Sequence, residues 1–143
     1  MPTALPFPIR KECPPGACEC RQGELLDAWE RDQATDIRIL RLTRDEEKAL
    51  VARIEAIDSY EALNRIEQRL YDLLGIRLTI TPSANGVRTV RGLNIKLAEQ
   101  QGLCRRTREI LPAAVRRCLA EHPEIVYALL NARDLLADIP DQP

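Results

Sequence analysis

Three cysteines lie within eight residues near the N-terminus of the chain, around a Pro-Pro-Gly bend. The segment reads Cys13-Pro14-Pro15-Gly16-Ala17-Cys18-Glu19-Cys20. Because proline fixes φ and has no backbone N–H, this segment and the prolines before it exclude a long helix and favour extended or turn backbone. Residues 1–23 are therefore expected to form an irregular arm, which is ordered only where a metal, a strand or the rest of the protein holds it.

The crowded thiols admit three interpretations. The first is a structural metal site, zinc or an iron–sulfur cluster, because thiolates are good ligands of both. Zinc requires four ligands in a closed structural site. Three of the candidate ligands are the clustered thiols of Cys13, Cys18 and Cys20. The fourth would be one of three residues towards the C-terminus: Cys104, Cys118 or His122.

The other two interpretations need no metal. A redox switch would join Cys13 and Cys18 in a disulfide, with Cys20 as the resolving thiol. Alternatively, the thiols lie in a flexible arm and have no chemical role. We prefer the metal interpretation and take zinc as the cofactor. The spacing C-x4-C-x-C differs from the usual C-x2-C knuckle, so the pattern by itself does not identify the ion.

The sequence gives little support for an enzyme. His122 is the only histidine, and it stands before Pro123 at a predicted junction between helices. A cysteine or serine nucleophile would need a neighbouring base, and one histidine without a paired partner provides none. The phosphate-binding, dinucleotide-binding, zinc-protease and esterase motifs are absent from the sequence.

Charge is unevenly distributed along the chain, although the net charge is only −1. Residues 76–118 carry nine basic and two acidic residues, whereas the remainder carries 12 basic and 20 acidic residues. A basic face of this kind would bind the phosphates of a nucleic acid or another polyanion. The alternative is that these arginines pair with the acidic helices predicted at 44–57 and 60–74, within one molecule or across a homodimer. The arginines predicted to contact nucleic acid are Arg88, Arg91, Arg105, Arg106, Arg108, Arg116 and Arg117.

The periodicity of apolar residues predicts an α+β fold. An αα-hairpin and C-terminal helices would pack on a small, mainly antiparallel sheet, with the cysteine- and proline-rich arm outside this single domain of residues 24–143. Pro112 is expected at a first helical position. The predicted helices are 24–32, 44–57, 60–74, 112–121 and 124–137, with residues 103–109 either a short turn or the start of a longer helix; the predicted strands are 37–42, 76–81 and 87–97.

These features lead to a hypothesis and two alternatives. The chain reads as a small binding or regulatory protein with a zinc-holding arm and a basic face for nucleic acid. A protein–protein adaptor without a nucleic-acid role comes second, and a thiol redox protein third. With no apolar run of roughly 18 residues and no secretory signal, we expect neither a membrane span nor secretion. Five cysteines, an odd number, argue against a complete disulfide framework, so the cytoplasm is the expected compartment.

Overall fold

The computed structural model describes residues 4–14, 16–82 and 92–133. Helices dominate this part of the chain, and the two strands form one antiparallel sheet, so the predicted α+β class is confirmed. In chain order the elements are α1 (Gln22–Arg31), a 3-10 helix (Arg38–Arg41), α2 (Arg44–Glu55), α3 (Tyr60–Leu74), β1 (Leu78–Pro82), β2 (Leu93–Leu97), α4 (Arg105–Glu121) and α5 (Pro123–Arg133).

The sheet is a single antiparallel pair. Leu78 lies opposite Leu97, and Ile80 lies opposite Ile95. Alternate residues are buried on both strands, as the alternating apolar pattern predicted. The predicted Asn85-Gly86 turn and the start of the predicted second strand fall in residues 83–91, outside the described residues.

Helix α4 packs against three other elements of the fold. It packs against α2 on one side and against β2 on the other. Leu111, Ala114 and Leu119 are each at most 1 % exposed, because α4 meets apolar side chains along most of its length. The core is mostly aliphatic. Among the described residues, Trp29 is the only aromatic side chain that is buried in it.

Local capping signals fix the ends of α2 and α3. The hydroxyl oxygens of Thr43 and Ser59 accept hydrogen bonds from the backbone N–H groups of Glu46 and Ala62, which satisfies donors that a helix start leaves open. Gly75 ends α3 with φ of 72°, in the left-handed region. The predicted helix 60–74 is therefore confirmed, although Leu73, expected in its buried stripe, is 42 % exposed.

Two local predictions are wrong. The predicted strand 37–42 is a 3-10 helix, in which the N–H of Leu40 donates to the carbonyl of Ile37. A 3-10 turn buries four of these apolar side chains without a neighbouring strand, which explains the slipped alternation. Pro112 does not open a helix; it lies inside α4, which begins seven residues earlier at Arg105. The longer-helix alternative for residues 103–109 is the correct one.

Candidate metal centre

Four cysteine side chains meet between the arm and the start of α4. The sulfur atoms of Cys13, Cys18, Cys20 and Cys104 all lie within 4.8 Å of one another. The Cys13 sulfur is 3.5 Å from that of Cys104 and 3.7 Å from that of Cys20. A disulfide would require about 2.05 Å, whereas ligands 2.3 Å from a tetrahedral zinc ion stand about 3.8 Å apart. The sulfurs therefore have the spacing of ligands around a single ion.

A reverse turn brings the three arm cysteines together. The N–H of Ala17 donates to the carbonyl of Pro14 at 3.0 Å, and Gly16 adopts φ of 79°, which glycine tolerates best. Arg21, directly after Cys20, has φ of 52°, the one positive φ at a non-glycine residue in the described chain. Such a conformation costs about 1–3 kcal/mol and persists where surrounding contacts determine the backbone. The path through Cys20 is therefore closely constrained.

The fourth sulfur comes from the N-terminus of α4. Cys104 is the N-cap residue of this helix, and the backbone N–H of Arg105 points at the Cys18 sulfur at 3.5 Å. The first N–H groups of a helix have no partner within the helix and carry a partial positive charge. The Cys18 sulfur therefore lies where the helix terminus stabilises a thiolate.

The electrostatic environment differs from one thiol to the next. Burial opposes ionisation of Cys18, but hydrogen bonds from the backbone N–H of Arg105 and from Cys20 and Cys13 lower its pKa to about 7. Burial raises the pKa of Cys104, against the favourable charge of Arg10, and burial also raises the pKa of Cys13. Without a cation, these thiols do not all ionise together near neutral pH, and a divalent ion would favour the thiolate form of each.

A buried arginine accompanies the thiols. Arg10 is only 8 % exposed; its Nε donates to Gln22 at 3.0 Å, and its backbone N–H donates to Leu40. Its Nη2 atom is buried and has no hydrogen-bond partner among the described residues. A buried positive charge beside a set of thiols compensates for negative charge gathered there.

The other two candidates for the fourth ligand lie elsewhere. Cys118 is 14 residues beyond Cys104 on α4, about 21 Å along the helix axis. Its thiol is buried and donates to the carbonyl of Ile57 at 3.2 Å. His122 ends α4, and its Nδ1 is 3.4 Å from a carboxylate oxygen of Glu124. Of the three alternatives, the structure brings only Cys104 to the arm cysteines.

The basic residues predicted to bind nucleic acid have mixed surroundings. Arg106 and Arg117 face the carboxylates of Glu47 and Glu55 on α2, and Arg116 donates to the carbonyl of Leu93. Arg105 and Arg108 are exposed at the start of α4. Arg88 and Arg91 lie outside the described residues. Pairing with α2 was the alternative to a polyanion-binding face, and nucleic-acid binding stays a prediction.

Comparison with protein-family models, with curated proteins and with solved structures finds no match to this chain. Within residues 4–14, 16–82 and 92–133, no helix has the length and apolar character needed to cross a bilayer. The candidate site therefore has to be interpreted from its own geometry.

The sequence pointed to the thiols but not to their supporting residues. Arg10 was one arginine among 18, and nothing in its neighbours indicates that it is buried. Gly102 precedes Cys104 by two residues with φ of 88°, which turns the chain into α4. A glycine just before a cysteine at a helix start is the signal that could have favoured Cys104 over Cys118 and His122.

Proposed function

We propose that this is a small zinc-binding protein in which Cys13, Cys18, Cys20 and Cys104 hold one structural Zn²⁺ ion. The observation that supports this most is the meeting of four sulfur atoms within 4.8 Å, three from the arm and one from a residue 84 or more positions away. Four thiolates complete a tetrahedral zinc site.

The compactness of the sulfur set supports a mononuclear site. In an iron–sulfur cluster the irons and inorganic sulfides stand between the cysteines, which spreads the thiolates apart. Four protein ligands also leave no position open for a substrate, and that favours a structural role over a catalytic one. The redox alternative uses Cys13, Cys18 and Cys20 only, and it gives no role to Cys104, whose sulfur is 3.5 Å from that of Cys13.

The ion would fix the arm to the body of the protein. The arm also contacts the body through the backbone hydrogen bond from Arg10 to Leu40, the packing of Phe7 and Ile9 against the core and the stacking of Arg41 on Phe7. A cross-link from residues 13–20 to the start of α4 would give this irregular segment one conformation. We propose that the ordered arm serves a binding or regulatory role, as part of a surface that a partner contacts.

Metal content after purification without chelator tests this proposal. We expect one zinc per chain in the natural protein and in Cys118→Ser, the matched control that removes a thiol outside the cluster. Cys13→Ser, Cys18→Ser, Cys20→Ser and Cys104→Ser should each lose most of the bound zinc, because three thiolates and a serine no longer form the site. Circular dichroism shows whether each variant keeps its helices.

Other metals or no metal would contradict the proposal in distinct ways. Iron together with inorganic sulfide would indicate a cluster instead of zinc. Folded, metal-free protein in which two of the four thiols oxidise readily in air would favour the redox alternative. Zinc that survives in Cys104→Ser but not in Cys118→Ser would mean that the site is assembled differently.

A further inference from the structure

A groove separates α2 from α3 on the side of the molecule where the arm passes. Its volume is about 420 Å³, and its lining includes Leu50, Ile66, Leu70 and Leu73 from the two helices. Phe7 and Pro8 of the arm line it as well. Of these lining residues, Leu73 is a large apolar side chain that is 42 % exposed. The floor of the groove is therefore an apolar surface of the size that binding sites use.

Three arginines surround this apolar floor. Arg53 and Arg69 line the groove, and their side chains make neither a hydrogen bond nor an ion pair with any described residue. Arg41 stacks on the ring of Phe7, 5.0 Å from its centroid, and has no carboxylate partner among the described residues. Elsewhere Arg38 and Arg117 do pair with carboxylates. Glu46 also lines the groove, so the groove keeps an excess of positive charge.

The positive charges are spread along the groove. Arg41 precedes the start of α2, Arg53 lies in the last turn of α2, and the helix rises about 14 Å from Arg44 to Arg53. An amphiphile with one anionic head group would neutralise one of these arginines. An amphipathic helix of about three turns presents apolar anchors at i, i+3, i+4 and i+7, and acidic residues on its flanks would meet all three.

We infer that this groove is a docking site for an acidic amphipathic helix of a partner protein. The apolar anchors of that helix would cover Leu73 and its neighbours, and its carboxylates would pair with Arg41, Arg53 and Arg69. This inference goes beyond the metal site and does not depend on which ion the cysteines hold. It gives the arm a function, because Phe7 and Pro8 form part of the groove wall.

Fluorescence anisotropy tests the inference with a defined probe. The probe is a labelled synthetic peptide of about 18 residues, with leucines on one helical face and glutamates on its flanks. We expect saturable binding to the protein as purified without chelator, and this binding should weaken as salt rises. Arg53→Gln and Arg69→Gln should each reduce affinity several-fold, and together at least about tenfold. The matched control is Arg65→Gln, an exposed arginine on α3 outside the groove, which should leave affinity unchanged.

Several results would overturn the inference. One is equal binding of the same peptide with lysines in place of glutamates. Another is an Arg65→Gln effect as large as that of Arg69→Gln. Displacement of the peptide by palmitate would assign the groove to a lipid, and self-association by sedimentation without peptide binding would assign it to a second copy. Leu73→Asp, at an exposed position where folding is expected to survive, should abolish peptide binding; unchanged affinity in folded Leu73→Asp would also contradict the inference.

Discussion

At the scale of single residues, Gly102 determines how the chain enters α4. Its φ is 88°, and a Cβ atom added there would stand 2.7 Å from Leu25 and 2.8 Å from Ile39, both in the core. Gly102→Ala therefore combines a strained backbone with a steric clash, and we expect it to lower the free energy of unfolding by about 2–4 kcal/mol. Chemical denaturation measures this change.

Gly23→Ala is the control for this prediction. Gly23 lies in the first turn of α1, and its nearest neighbour would be 3.5 Å from an added Cβ, an ordinary contact. The change should be neutral or stabilising by up to about 1 kcal/mol, because alanine favours helix. Equal stability of the two variants would show that the turn before Cys104 is not as tightly packed as the structure indicates.

Arg10 provides the second prediction at this scale. A zinc ion with four thiolates carries a net double negative charge, which a buried guanidinium would compensate. Arg10→Met keeps the apolar length of the side chain but removes the charge, and we expect zinc affinity to fall by about 10-fold or more. Competition with a chromophoric chelator measures the affinity.

Lys11→Met is the matched control for Arg10, since it removes an exposed positive charge one residue further along the arm. It should change zinc affinity far less, because water screens an exposed charge. Equal losses in Lys11→Met and Arg10→Met would mean that general electrostatics, and not the buried position of Arg10, sets the affinity. Partial recovery in Arg10→Lys is also expected.

At the scale of elements, α2 and α4 are joined by a buried polar contact in the first turn of α4. The hydroxyl of Thr107 donates to a carboxylate oxygen of Glu47 at 2.6 Å, and both residues are buried. Arg106 approaches the other oxygen at 3.5 Å. A buried carboxylate must keep its partners, because an unsatisfied one carries its full desolvation cost.

Thr107→Val removes the donor and keeps the shape of the side chain. We expect a loss of about 1–3 kcal/mol in unfolding free energy, measured by urea denaturation. The control is Thr79→Val, where an exposed hydroxyl on β1 donates to the carbonyl of Lys96. Valine suits a strand, so that change should cost less than about 0.5 kcal/mol. A Thr107→Val protein as stable as Thr79→Val would show that Glu47 finds other partners.

Some elements could be predicted from the sequence because their signals are local. Helix α3 has a cap at Ser59, a regular apolar stripe and Gly75 at its end, and these fix its bounds without reference to the rest of the chain. The segment 37–42 has no such signals. Its short apolar run suits a strand or a buried turn equally, and packing against other elements decides between them.

The fourth candidate ligand could not be predicted from the sequence. Cys13 and Cys104 are separated by 91 positions, and spacing within the sequence carries no information about which distant residue meets the arm. Choosing Cys104 requires knowing that α4 begins at Arg105 and not at Pro112, since only then is its sulfur at a helix terminus. The groove arginines escaped prediction for a related reason, because a charged residue in a helix is normally solvated.

At the scale of the whole molecule, we expect the core to fold by itself and the arm to need the proposed metal ion. The core is one contiguous cluster of buried apolar residues that leaves the arm at its edge. We expect a strong chelator to release the arm while the core stays folded. Zinc at 100 times its dissociation constant would then stabilise the ordered state by about 2.7 kcal/mol.

Amide hydrogen exchange distinguishes these regions. The backbone N–H of Arg10 donates to Leu40, and that of Ala17 donates to Pro14. When a chelator removes the ion, these two amides should lose protection, whereas the amides of α3 and β1 should keep theirs. Loss of protection throughout the protein would show that folding of the core depends on the ion. Unchanged protection at Arg10 and Ala17 would show that the arm is held without it.

X-ray absorption at the zinc edge of protein purified without chelator tests the central claim most directly. We expect one ion per chain, with four sulfur neighbours at about 2.3 Å and no nitrogen or oxygen bound to it. A shell with oxygen or nitrogen ligands would contradict it. So would metal-free protein containing a sulfur–sulfur bond of about 2.05 Å among Cys13, Cys18, Cys20 and Cys104.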